Sequence, residues 1–298
     1  MSGTVRVARP WTRHRLQVVG FRWLRRLTIA VLVVVTAFPF YYMVMLSLKP
    51  IEKLLLNPGS VGIDLADLSF DTYATVLKGI DDGGQGFVAL IRNSLLVAGL
   101  TVIAALAVAI PGAYAASRLE FWGRRQVNAL FLLVYLFPPM ILAIPLFVIF
   151  VRLGLRGSLF GLALIYVAQT VPVAIYMLRG YFETIPQSLE EAAMIDGCTR
   201  MQVIRKVSLP LAMPSVTATA LYVFMIAWNE FLFALLFLVT NRDRWTVSLG
   251  LSQLSGSIEV PTTILMAGSV VLTLPIIIVF FAAERLLVEG LTAGAEKG

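Results

Sequence analysis

The chain has 298 residues, of which 59% are apolar and only 14% charged, and its mean hydropathy is +0.86; this balance excludes an ordinary soluble domain and points to a polypeptide housed largely in a bilayer. The net charge of +7 does not argue for nucleic acid, because the basic residues collect at the ends of apolar runs and form no aromatic-interleaved stripe. A single cysteine, Cys198, excludes an internal disulfide.

In chain order, a basic tail (residues 1–26) containing Arg13, Arg15, Arg22, Arg25 and Arg26 leads into an apolar run from Leu27 to about Leu48. A cleaved signal peptide also begins basic, but its apolar core is shorter and ends at small residues, whereas this run continues through Phe38, Tyr41 and Met45 to Lys49-Pro50. The run therefore reads as a first membrane span. Residues 49–86 are polar, with Pro58, Gly59, Asp64, Asp67, Asp81 and Asp82, and predict an external loop holding one short helix over Phe70–Leu77.

Five more apolar runs follow, at about Asn93–Ala115, Val127–Val151, Ser158–Met177, Ser215–Val239 and Thr263–Leu287. Each is near the twenty or so residues that cross the hydrocarbon layer, so the sequence predicts an all-α membrane protein of six spans. With both termini in the cytoplasm, sixteen of the 24 Lys and Arg residues fall on inner segments, in accord with the positive-inside bias. The transmembrane domain then covers residues 27–287 and a cytoplasmic tail covers 288–298. No internal repeat is visible in the sequence.

About thirty-five residues separate the fourth run from the fifth, too many for a bundle connection without structure of its own. Ser188 with Glu191, and Thr199 with Gln202, each have capping-box spacing and predict two short helices. Gly197 lies between them, where a left-handed residue ends the first helix; Pro210 and Pro214 are expected to stop the second before the fifth span. The small side chains of Ala192 and Ala193 suit close approach to another surface. Taken alone, they equally suit a plain helical connection.

Glu191-Ala192-Ala193, Gly197 and Leu209-Pro210 stand at a spacing that resembles the coupling motif of bacterial ABC import permeases, with Val207 and Cys198 where isoleucine and alanine are usual. Asn93-Ser94, Pro139, Pro145, Trp228 to Phe231, and Gly290 to Gly294 extend the resemblance over most of the chain. Together these residues resemble the carbohydrate subfamily, and within it the second membrane subunit of maltose-type importers. The resemblance implies that the region 186–210, with Glu190, Glu191, Ala192, Ala193, Met194, Asp196, Gly197, Leu209 and Pro210, transmits closure of an ATPase subunit to the membrane helices. It further implies a companion permease, two nucleotide-binding subunits carrying ATP and Mg, and an extracytoplasmic sugar-binding protein, in the inner membrane of a bacterium. The C-terminal residues Gly294 to Gly298 would reach between the ATPase subunits, with Glu296 where an apolar residue is common. No cofactor or metal is expected in this chain, which has no phosphate-cradling G-x-x-x-x-G-K-[ST] loop.

Within the spans, Gln169, Thr170, Asn229 and Glu230 are costly in hydrocarbon unless they face protein or water. Each is a candidate for the translocation path or for interhelical hydrogen bonding. Trp228 and Phe231 are likewise candidates for stacking on a sugar or for packing. Pro111, Pro139, Pro145, Pro172 and Pro275 are candidates for bends that shape a cavity or serve as pivots. Two other functional classes fit less well. An intramembrane serine protease needs a histidine in the bundle, yet the only one, His14, lies in the tail. A gradient-driven transporter would show paired ionisable groups near the midplane, where Glu230 stands alone.

Overall fold

A computed structural model of the chain describes residues 12–57, 59, 60, 62, 67–136, 138–257 and 260–295; of residues 12–16, 128, 132, 135, 136, 139 and 288–295 it describes the backbone alone. The first residues of the basic tail, Pro58 and Asp64 in the loop, and Glu296 to Gly298 lie outside the described residues.

Among the described residues every regular element is a helix. The first span is the long helix α1 (Thr12–Ser47), followed by two short helices, α2 (Ile51–Leu56) and α3 (Asp71–Leu77). The segment after α1 thus holds two helices where one was expected; Pro50 ahead of α2 supplies an entry conformation that the polar composition concealed. The second and fourth runs become α4 (Phe87–Arg118) and α7 (Leu159–Phe182), and the last becomes α14 (Thr262–Ala295). Ser158 starts α7 by accepting a hydrogen bond from the Gly161 N–H at 3.3 Å. Pro111, Pro172 and Pro275 sit inside these helices without ending them.

Two predicted spans are broken. The third run divides into α5 (Arg124–Leu136) and α6 (Pro139–Arg152), where the ring of Pro139 drives Pro138 before it into extended geometry. The fifth divides into α11 (Met213–Asn229) and α12 (Leu232–Leu238), with Glu230 in extended geometry between them. A 3-10 turn (Arg242–Arg244) and α13 (Val247–Ser255) follow. Among the described residues, four helices are long and apolar enough to cross a membrane, or five if a bent pair ending in α11 counts as one span.

The bundle is built around α4, which packs against α7, α11 and α13. One stripe of α4, Val97, Thr101, Ala105, Ala109 and Ala113, repeats every four residues and is fully buried, so small side chains let the facing backbones come close. Gly112 extends this fit, since a Cβ there would stand 3.2 Å from Ile175 on α7. Two apolar cores result. One gathers Phe87, Leu162, Tyr166, Trp228, Phe233, Phe237 and Leu249; the other gathers Ala109, Tyr114, Leu178 and Phe182 near the long connection after α7. α1 touches α14, but most of its large apolar side chains are exposed, as a helix bordered by lipid or by a second membrane subunit requires.

Candidate functional site

The connection between α7 and α11 folds as two helices around a glycine turn. The first, α8 (Gln187–Ile195), begins directly after Pro186, and Ser188 is its second residue without a capping hydrogen bond. The expected cap at Ser188 is therefore replaced by proline, whose fixed φ already suits a helix start. Gly197 takes φ +85°; its N–H donates to the Met194 carbonyl, and the Cys198 N–H donates to that of Ala193, both at 3.0 Å. This is the paired closure of a left-handed helix terminus. The second helix, α9 (Arg200–Val203), starts as predicted, with Gln202 Oε1 accepting from the Thr199 N–H at 2.8 Å.

Pro210 does not stop the second helix. A wide π-turn (Ile204–Ser208) and a short α10 (Leu209–Leu211) carry the helical path past it to Ala212; the wider turn accommodates the missing proline N–H. The bend comes at Ala212, where segment 200–211 meets α11 at 77°, and Pro214 lies in the first turn of α11.

The two adjacent glutamates of α8 have opposite surroundings. Glu191, Ala192, Met194, Asp196 and Gly197 are exposed and Ala193 is half-buried, beside an apolar surface in which Ile195 is 86% and Met201 71% exposed. Large apolar side chains left exposed on two neighbouring short helices form a candidate contact surface. Glu190 points the other way and is buried. Its Oε1 accepts from Arg118 Nε and from Ser208 Oγ, and its Oε2 accepts from the Tyr114 hydroxyl, each at 3.0 Å. A second Arg118 nitrogen donates to the Ile185 carbonyl at 2.6 Å. The sequence grouped Glu190 with the exposed coupling residues; the structure moves it to the inner face. Leu209 is half-buried and Pro210 exposed along the same segment.

Tyr114, Arg118 and Ser208 were not singled out in the sequence. An arginine at the end of an apolar run reads by default as an interface residue. The one signal present was the four-residue spacing of Tyr114 and Arg118, which places both on one face of the last turns of α4.

Among the polar residues of the spans, Glu230 is fully occupied by protein. It accepts the Tyr166 hydroxyl at 2.6 Å and the N–H groups of Phe233 and Ala234 at 2.9 and 3.2 Å, so it caps α12. Trp228 is buried, stacks on Phe224 and donates its indole N–H to the Leu272 carbonyl at 3.1 Å. Both residues thus make packing contacts within this chain. Thr170 is also buried and bonds back to the Tyr166 carbonyl, while Gln169 Nε2 is buried without a hydrogen-bond partner among the described residues.

Asn229 and Phe231 remain open. They line a cleft of about 420 Å³ together with Ser248, Ser252, Ser255 and Ser269. At the same end of the bundle, Asn93 Nδ2 donates to the carbonyls of Asp243 and Trp245 at 2.8 and 3.0 Å, and Ser94 Oγ accepts the Val247 N–H at 2.8 Å. Asn93-Ser94 is therefore a strut that holds the segment between α12 and α13 on α4.

Residues 109–292, from the last third of α4 through the glycine-centred connection to near the end of α14, match the family described as "Binding-protein-dependent transport system inner membrane component". The chain belongs to this family. The permease is 38% identical over 91% of its length to the inner membrane ABC transporter permease protein YcjP of Escherichia coli K12, covering 94% of that protein. It is 35% identical over 89% of its length to the trehalose/maltose transport system permease protein MalG of Thermococcus litoralis, covering 93% of it. In fold it is similar to a subunit in the crystal structure of a bacterial ABC transporter involved in import of the polysaccharide alginate, with a TM-score of 0.74 and 22% identity over 93% of this chain and 99% of that one. The permease is thus a multi-pass inner-membrane, non-catalytic component of an ABC importer that works with a binding protein. That membership sets aside the protease and gradient-driven readings.

Proposed function

We propose that this permease forms half of the translocation path of an ATP-driven sugar importer, with a trehalose- or maltose-type disaccharide as substrate. The observation that carries the coupling part is the opposed pair on α8: Glu190 anchors the helix inward while Glu191, Ala192 and Ile195, with Met201 of α9 beside them, are presented outward. This surface is suited to a nucleotide-binding subunit, which must carry ATP and Mg because this chain lacks a phosphate loop. The sugar class is supported by the similarity to the trehalose/maltose permease and by the hydroxyl-lined cleft beside Asn229 and Phe231.

The full assembly in this reading has two ATPase subunits, a companion permease and an extracytoplasmic sugar-binding protein. The chain makes six crossings, with α5–α6 and α11–α12 each forming one broken crossing, and both termini lie in the cytoplasm. ATP-driven closure moves the segment 188–209 and shifts the bundle between inward- and outward-open states. Inverting a 1:99 population takes about 5.5 kcal/mol of differential binding, which nucleotide and loaded binding protein must supply together.

The test is ATP-dependent uptake of radiolabelled trehalose and maltose by the reconstituted complex, native against Gly197→Asp. Native uptake that is lost in the variant, with the binding protein still holding sugar, is the expected result. A native chain that recruits no ATPase subunit, or a complex that carries neither sugar, overturns the reading. Reporter fusions at each end, active only on the cytoplasmic side, check the orientation.

A further inference from the structure

The connection is tied by peptide bonds to α7 and α11 only, yet its most buried polar cluster is on α4. Three elements meet at the Glu190 carboxylate: α4 through Tyr114 and Arg118, α8 through Glu190 itself, and the π-turn through Ser208, all at 3.0 Å. Arg118 adds a fourth by holding the Ile185 carbonyl just before α8. Both members of the ion pair are almost dry, with side-chain exposures of 5% for Arg118 and 7% for Glu190. A buried ion pair adds little net stability over an apolar replacement; what it does impose is one geometry, since its hydrogen bonds are directional and its charges tolerate no separation in a dry site.

The end of α4 is itself braced. Arg124 donates to the carbonyls of Ala116 and Ser117 at 2.9 and 2.8 Å, and Ser117 Oγ donates to that of Tyr114 at 3.0 Å. Beyond it, the alanine stripe of α4 is packed on α7 without space. A displacement delivered to α8 therefore reaches, through Glu190, the helix on which most of the bundle is assembled.

We infer that Glu190 is a positioning residue that latches the coupling helices to α4, so that α8, the π-turn and α4 move as one body and α4 carries the stroke. This rests on the proposed role of α8 as the ATPase contact. The two neighbouring glutamates then have separate roles, Glu191 facing the partner and Glu190 facing the membrane helices.

The test uses the complete transporter in proteoliposomes. Cys198, the only cysteine of this chain, is spin-labelled together with an introduced Glu120→Cys two residues past the end of α4, and the distance between them is measured with and without ATP. A latched pair keeps one narrow distance in both states. In Glu190→Ala, which removes all three hydrogen bonds at the carboxylate, the distance becomes broad and ATP-dependent, and trehalose or maltose carried per ATP hydrolysed falls by at least about tenfold. If Glu190→Ala does not assemble, the pair Tyr114→Phe and Ser208→Ala removes two of the bonds without stranding a charge and is expected to lower the same ratio severalfold. Glu190→Gln, which keeps both acceptor positions on one oxygen, is expected to recover part of it.

A native distance that changes with ATP, or an assembled Glu190→Ala complex with unchanged sugar carried per ATP, overturns the latch while leaving the importer reading in place. A native chain that binds no ATPase overturns both.

Discussion

The Tyr166 hydroxyl donates to the Glu230 carboxylate across 2.6 Å, joining the middle of α7 to the break between α11 and α12. Because Glu230 also accepts two N–H groups of α12, one side chain both closes a helix end and links two spans. Tyr166→Phe is expected to lower stability by about 1–3 kcal/mol, the range for a hydrogen bond to a charged group. Glu230→Ala, which orphans donors on two elements, is expected to cost more. Thermal unfolding in detergent checks both, and a Tyr166→Phe protein as stable as the native would contradict the role assigned to this bond.

Trp228 and Asn229 are neighbours with opposite expected phenotypes. Trp228 fills the core, so Trp228→Ala should destabilise by about 3–5 kcal/mol and lower the amount of folded protein. Asn229 faces the cleft, and among the described residues its side chain bonds only to the Met225 carbonyl of its own helix, so Asn229→Ala should leave the melting temperature unchanged and raise the KM for sugar uptake. Equal melting temperatures with an unaltered KM would remove Asn229 from the path.

At Gly197 the obstacle to substitution is the backbone and not space. A Cβ there meets nothing within 4 Å, but φ is positive. Alanine is expected to cost about 1–2 kcal/mol of turn stability, with asparagine closer to glycine and valine worse than either. The order Gly, Asn, Ala, Val in sugar-stimulated ATP hydrolysis is the readout, and a valine variant as active as the asparagine one would contradict it.

Gly268 poses the reverse problem. A Cβ on it would lie 2.8 Å from the Phe87 ring and 3.1 Å from Leu251, in the core where α14 meets the start of α4. Gly268→Ala is expected to destabilise by about 1–3 kcal/mol through overpacking. Phe87→Leu in the same chain should restore part of that loss, which a double-mutant cycle of unfolding temperatures measures directly.

Hydropathy located α1, α4, α7 and α14 because each is one unbroken apolar helix. It merged α5 with α6 and α11 with α12, since a window average does not register a two-residue change of backbone direction at Pro138-Pro139 or at Glu230-Phe231. Local signals served well when both partners lay within one turn, as with Thr199 and Gln202 or the left-handed Gly197. They served poorly when the partner was distant in sequence. Nothing near Glu190 distinguishes it from Glu191, because what does so is Arg118, on another helix and pointing at only one of them. Ser188 misled for a related reason: a capping serine and a serine inside the first turn look alike until the preceding proline is weighed.

The bend at Ala212 has a mechanical consequence. Segment 200–211 stands at 77° to the span it feeds, and twelve helical residues reach about 18 Å. Turned by roughly 10° about Ala212, such an arm sweeps its far end through about 3 Å, the scale on which packed helices slide past one another. A rotation at the foot of α11 that carried this arm with it would thus be read out as a several-ångström displacement at Arg200.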